Sequence, residues 1–122
     1  MDTNKIKSFT DLIAWKEAHK LAILGYKLTD KFPAKETFSL TDQLRRALTS
    51  VSSNIAEGFS RKTNKDKCHF FYTALGSLTE IQNQILLARD VEYLSNEDFK
   101  KIADQTILVS KLINGLIKNL RV

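Results

Sequence analysis

The sequence predicts an all-α protein, an antiparallel up-and-down four-helix bundle forming one domain over residues 1–122. Two observations carry this. Apolar residues recur at spacings of 3 and 4 through four long stretches, the period of a buried helix face. One proline and four glycines leave little turn punctuation, so the chain is built from a few long elements, and short connections favour antiparallel packing of neighbours. The helices are expected at about 10–31, 38–58, 64–91 and 96–121.

The first helix begins at Phe9-Thr10-Asp11, where Thr10 or Asp11 can cap free N–H groups. Leu21, Leu24, Leu28 and Phe32 form one stripe, and Trp15, Ala18, Ala22 and Tyr26 an adjoining one, together too wide for a single partner helix. Lys16, Lys20, Lys27 and Lys31 occupy the hydrated remainder, and Pro33 ends the helix. The second helix buries Leu40, Leu44, Ala47, Leu48, Val51 and Ile55, and Gly58 is expected to end it as a left-handed C-cap.

The third helix starts at Thr63 or Asn64 and has its seam at Phe71, Ala74, Leu78, Ile81, Ile85 and Ala88. Ser95-Asn96-Glu97-Asp98 is close to a capping box and opens the fourth. Phe99, Ile102, Thr106, Val109, Ile113, Leu116 and Leu120 then alternate 3 and 4 almost to the end, the most regular heptad seam present. Tyr72, Gly76 and Leu87 lie roughly opposite the third helix's seam, and Leu108, Leu112 and Gly115 make a second stripe on the fourth. A monomeric bundle has no use for such stripes, so Tyr72, Gly76, Leu87, Leu108 and Leu112 are the candidate oligomer interface.

The reactive inventory is thin. There are two histidines, one cysteine and no glycine-rich phosphate loop. Cys68 and His69 are neighbours on a helix and diverge by about 100°, so they cannot act as a nucleophile and base pair. Neither His19 nor His69 has a glutamate three residues before it, as the di-metal sites of bundles require. No catalytic residue, metal or cofactor is therefore assigned. The lone cysteine and the absence of a signal-like apolar run at Met1-Asp2-Thr3-Asn4-Lys5 point to a reducing cytoplasm. No stretch approaches the ~20 apolar residues of a membrane span.

Two polar features remain. Asn54 flanks the apolar arc of the second helix, while Ser50 and Glu57 lie farther from it; with Glu80 these are either a solvated face or a structural polar seam against another helix or subunit. Positive charge is densest at Arg61, Lys62, Lys65 and Lys67, with Arg45 and Arg46 on the helix leading there. The net charge of +5 permits an anionic partner without requiring one.

Trp15-Lys16-Glu17-Ala18, Phe32-Pro33, Gln43-Leu44-Arg45-Arg46-Ala47, Asn54-Ile55-Ala56-Glu57-Gly58 and Gly76-Ser77-Leu78 with Glu80 resemble the small bacterial four-helix-bundle proteins named after 23S rRNA intervening sequences. The resemblance covers nearly the whole chain. It implies a ring-like homopentamer, a gene sometimes carried within an rRNA insertion, and kinship to the accessory variability determinant of diversity-generating retroelements, a basic pentamer that works with nucleic acid. Three positions depart from the pattern: Ser52 replaces a frequent proline, Leu75 a frequent arginine, and Gln82 a second glutamate. The expected function is a non-enzymatic oligomeric bundle binding structured RNA or another nucleic acid through Arg45, Arg46, Arg61, Lys62, Lys65 and Lys67. The alternative is a ring-shaped adaptor for a protein partner.

Overall fold

The computed structural model describes residues 5–120, and among them it contains helices and no strand. Four α-helices follow one another: α1 (Ile13–Thr29), α2 (Leu40–Ser60), α3 (Asn64–Asp90) and α4 (Asn96–Leu120). Each packs on its sequence neighbours, and α4 closes the square on α1. The three expected seams of α2, α3 and α4 point inward. Every named seam residue of α2 and α3 is buried, as are Ile102, Thr106, Val109 and Ile113 of α4. Phe99, Leu116 and Leu120, toward its ends, are half-buried against the same core.

Helix ends depart from expectation where side-chain hydrogen bonds decide them. α1 starts at Ile13, not at residue 10, because Phe9–Asp11 is a separate 3-10 turn and Leu12 is extended. The capping residue of that turn is Ser8, whose hydroxyl accepts from the Thr10 N–H. Asp11 reaches back to accept from the N–H groups of Lys7 and Ser8, both at 3.0 Å. Those two bonds hold the Asp11 carboxyl below the usual range. Thr63 caps α3 by accepting from Asp66 N–H, and Ser95 caps α4 by accepting from Asp98 N–H, each at 3.1 Å.

Gly58 is not a left-handed cap. No glycine has positive φ among the described residues, and α2 continues to Ser60 before Arg61 turns extended. The glycine is there for space: a Cβ on Gly58 would lie 2.6 Å from Phe71 Cε1 and 3.2 Å from the Lys67 carbonyl oxygen. Gly25 does the same on α1, where a Cβ would collide with the buried Leu48 side chain. The left-handed residue is Glu92, with φ 69°. It closes α3 in a Schellman arrangement, with Tyr93 N–H donating to the Ala88 carbonyl at 2.8 Å and Glu92 N–H to the Arg89 carbonyl at 3.0 Å.

One latch joins the two connections at that end of the bundle. The Glu36 carboxylate, in a 3-10 turn between α1 and α2, accepts from Ser39 Oγ at 2.6 Å and from Tyr93 Oη at 2.8 Å. Tyr93 also packs on Phe32, with ring centroids 5.4 Å apart. The Ser39 and Tyr93 hydroxyls hold the Glu36 carboxyl below its usual range.

Two measurements check this account. Gly58→Ala removes a helix-weakening glycine yet lowers stability by about 1–3 kcal/mol because Phe71 has nowhere to go, whereas Glu92→Gly raises it by about 1 kcal/mol by relieving the left-handed strain. Urea melts followed by circular dichroism read both. Because the folded Glu36 pKa is depressed, its contribution is complete above the ordinary carboxylate pKa of 4.5 and is lost as pH falls through the lower folded value. Wild type is therefore more stable than Glu36→Gln at neutral pH, and the gap narrows in acid.

Candidate nucleic-acid interface

The polar residues of α2 divide between two environments. Asn54 Nδ2 donates to the Ser50 carbonyl at 2.8 Å and to Ser50 Oγ at 3.0 Å, and Ser50 Oγ shares a 2.8 Å hydrogen bond with Ser77 Oγ across the α2–α3 interface. The side chains are short, so the helices meet closely here. Glu57 is exposed and pairs with Arg61 at 2.9 Å, while Glu80 is exposed and has no ion-pair partner among the described residues. Ser50 and Asn54 thus form an internal hydrogen-bonded step with Ser77, and Glu57 and Glu80 stand outside it. Gln84, buried on the same flank of α3, leaves its Oε1 acceptor without a hydrogen-bond partner among the described residues.

The six candidate cations fall into two separated groups. Arg46 and Arg61 are fifteen positions apart on one helix line, about 22 Å at 1.5 Å per residue. Arg45 is committed to the C-terminus of α1. Its Nε donates to Thr29 Oγ1 at 2.9 Å, its Nη2 to the Tyr26 carbonyl at 3.3 Å and to Asp30 at 2.8 Å, and its guanidinium lies 4.6 Å above the Tyr26 ring. Arg46 pairs one turn back with Asp42 and is otherwise exposed. At the other end of α2, Lys67 Nζ donates to the Phe59 carbonyl at 2.6 Å and closes the helix. Arg61 lies 4.5 Å above the Phe70 ring. Lys62 and Lys65 are exposed and unpaired among the described residues.

Antiparallel packing adds lysines that are remote in sequence. The Ser50–Ser77 bond marks the waist of the bundle, and Gly25 packing on Leu48 puts the level of α1 near Ile23. The half holding the described N-terminal segment, the α2–α3 connection and the end of α4 carries ten cations: Lys5, Lys7, Lys16, Lys20, Arg61, Lys62, Lys65, Lys67, Lys111 and Lys118. Against them stand Asp11, Glu17, Glu57 and Asp66. The other half has eight cations and nine carboxylates among the described residues, so the whole net charge sits at one pole. Asn64 Nδ2 donates to the Leu120 carbonyl at 3.2 Å and holds the end of α4 against the start of α3 there. Nothing local in the sequence marks Lys5, Lys7, Lys16, Lys111 and Lys118 as companions of Lys62 and Lys65.

The second stripes lie mostly in solvent. Tyr72, Gly76 and Leu87 are exposed on the back of α3, where Thr79, Asn83 and Leu86 extend the strip and Glu80, one turn beyond Gly76, places a carboxylate beside it. A Cβ on Gly76 or Gly115 would meet nothing within 4 Å, so no contact within the bundle calls for either glycine. Leu108 is exposed, whereas Leu112 leans on the core beside a groove of about 600 Å³ between α4 and the start of α1. Cys68 is buried, and no group of three metal-ligating side chains converges among the described residues. No helix among them is long and apolar enough to cross a membrane.

The family model described as 23S rRNA-intervening sequence protein matches residues 10–115. No curated protein matches the chain. A crystal structure of a protein of unknown function from the S23 ribosomal protein family of Bacteroides thetaiotaomicron VPI-5482 superposes with a TM-score of 0.81 at 21% identity, covering 87% of this chain and 96% of that one. That likeness establishes the fold.

The division of the arginines has a measurable consequence for stability. Arg45→Ala removes a charged hydrogen-bond donor from the end of α1 and lowers stability by about 1–3 kcal/mol, whereas Arg46→Ala, losing only an exposed pair, changes it by less than about 0.5 kcal/mol. Thermal melts at constant protein concentration distinguish the two.

Proposed function

The chain belongs to the 23S rRNA-intervening sequence protein family, and from that premise we propose that it is a non-enzymatic oligomeric bundle that binds structured RNA through its basic pole. The observation that carries this reading is the collection of the entire net charge in one half of the bundle. The side chains of seven of the pole's lysines (Lys5, Lys7, Lys16, Lys62, Lys65, Lys111 and Lys118) make neither an ion pair nor a hydrogen bond among the described residues. Several lysines within about a Debye length of one another, ~8 Å at physiological salt, act together on a polyanion. Lysine is a point charge on a flexible stem, suited to phosphates and indifferent to base identity. Binding by this pole is governed by the shape and phosphate spacing of the RNA.

Self-association supplies the avidity. The back of α3, where Tyr72, Gly76 and Leu87 are exposed and Glu80 is the carboxylate among them, is the surface on which copies meet, together with Leu108 on α4. A ring, the pentamer that the resemblance implies, would repeat the pole once per subunit, and individually weak phosphate contacts then add through effective concentration.

The test is the affinity for a hairpin RNA measured from about 50 to 200 mM salt, with mass read by light scattering. Wild type binds with a steep negative dependence of log K on log salt. Lys62→Glu with Lys65→Glu weakens binding and flattens that slope in proportion to the phosphates the pole no longer neutralises. Leu87→Glu lowers the mass and the affinity while helical content is retained. A wild-type oligomer that ignores hairpin RNA even at the lowest salt is an adaptor for a protein partner instead.

A further inference from the structure

The basic pole leaves the outer α1–α2 face unused, although Arg45 and Arg46 lie on it. Two adjoining cavities of about 460 and 510 Å³ open there and share Tyr26 and Thr49. His19, Ile23, Tyr26 and Lys27 of α1 form one wall. The floor is a run of hydroxyls from α2: Thr49, Ser50, Ser52 and Ser53. Arg46, held by Asp42 at 2.9 Å, stands at the far end.

Three chemistries meet in this groove. The wall is flat and partly apolar: Ile23 and Tyr26 are 44% and 43% exposed, large values for residues beside a packed interface. Arg45 pins the Tyr26 ring from one side at 4.6 Å, and His19 stacks on Trp15 at 4.8 Å with planes 13° apart, so both rings of the wall are held in place. On the floor, Thr49 Oγ1 donates to the Arg45 carbonyl and Ser52 Oγ to the Thr49 carbonyl, so both present acceptor lone pairs; Ser50 is taken up by Ser77 and Asn54, and Ser53, with no side-chain hydrogen bond among the described residues, can both donate and accept. The ends carry cations, Lys27 without an ion-pair partner among the described residues and Arg46 in an exposed pair that a phosphate can displace at little cost. A planar base, a hydroxylated sugar and a phosphate are the groups that these three surfaces complement.

We infer that the α1–α2 groove holds two successive unpaired nucleotides of a single strand, one against Ile23 and Tyr26, with phosphates at Lys27 and Arg46. This rests on the proposed function only in taking nucleic acid as the ligand; it assigns a different surface and a different form of the strand. Each cavity lies in the size range of small-ligand sites. A duplex keeps its base faces stacked inside and cannot offer them to this wall, whereas an unpaired strand presents them to aromatic side chains.

Trp15 is the only tryptophan, and through His19 its emission reports on the groove. The probes are a short oligouridine, a blunt RNA duplex of the same length, and uridine monophosphate. The oligouridine changes Trp15 emission on binding, Tyr26→Ala weakens that binding about tenfold, and Thr49→Glu, an exposed floor position given a carboxylate, weakens it at least as much. Both variants keep wild-type affinity for the blunt duplex, which offers phosphates to the pole and no unpaired base to the groove and so tests the pole separately. Unchanged oligouridine binding in Tyr26→Ala and Thr49→Glu overturns the inference, as does an equal emission change with the duplex. Saturation by uridine monophosphate at the same concentration as the oligomer also overturns it, because the ligand is then a free nucleotide. If oligouridine binding disappears in Lys62→Glu with Lys65→Glu and persists in the groove variants, the pole stands and the groove does not.

Discussion

The arrangement of the bundle depends on how closely α2 is approached from both sides. Gly25 lets α1 settle on Leu48, and Gly58 lets Phe71 of α3 settle on α2. Between these points Ser50 and Ser77 bond directly across the α2–α3 interface. Small residues at the contact bring helix axes toward the short end of the usual 8–10 Å range, and the apolar seams can then interdigitate without voids. The level at which α2 meets each neighbour is fixed there, and with it the residues that share each end of the molecule.

That register produces the electrostatic asymmetry. In an antiparallel bundle each end collects one helix start or finish from every element, so charges far apart in sequence become neighbours. Here the described N-terminal segment, the α2–α3 connection and the end of α4 meet at one end, and ten cations face four carboxylates. The opposite end keeps a near balance and uses its polar groups internally, as in the Glu36, Ser39 and Tyr93 latch.

The interior was legible because helical periodicity reports burial directly: Leu44, Leu48, Val51 and Ile55, like Phe71 through Ala88, are buried as their spacing requires. Ends were less so. Ser8 looks no more like a cap than Thr10 until its bond is formed, and Gly58 reads as a terminator although Phe71 lies against it. Glu92 gives no hint of its left-handed backbone, since the residue usual at that position is glycine. For the candidate surface, the local run at Lys62 and Lys65 was visible, but adjacency along α2 suggested a continuity with Arg45 and Arg46 that about 22 Å of helix interrupts. Lys111 and Lys118 join the pole only through tertiary packing.

The order in which the square of helices closes has a kinetic meaning. Three of its four seams join consecutive helices across short connections, so they form from local contacts with little loop entropy, the condition for rapid folding. The α1–α4 seam is different: it joins the first and last helices and carries the loop-closure cost of everything between them, so it closes after the other three seams. It is also where Leu112 lies only half-buried and Ile13 is 64% exposed. Closed last and least covered, this seam is where native-state opening begins, and amide hydrogens along it are the first of the interior to exchange.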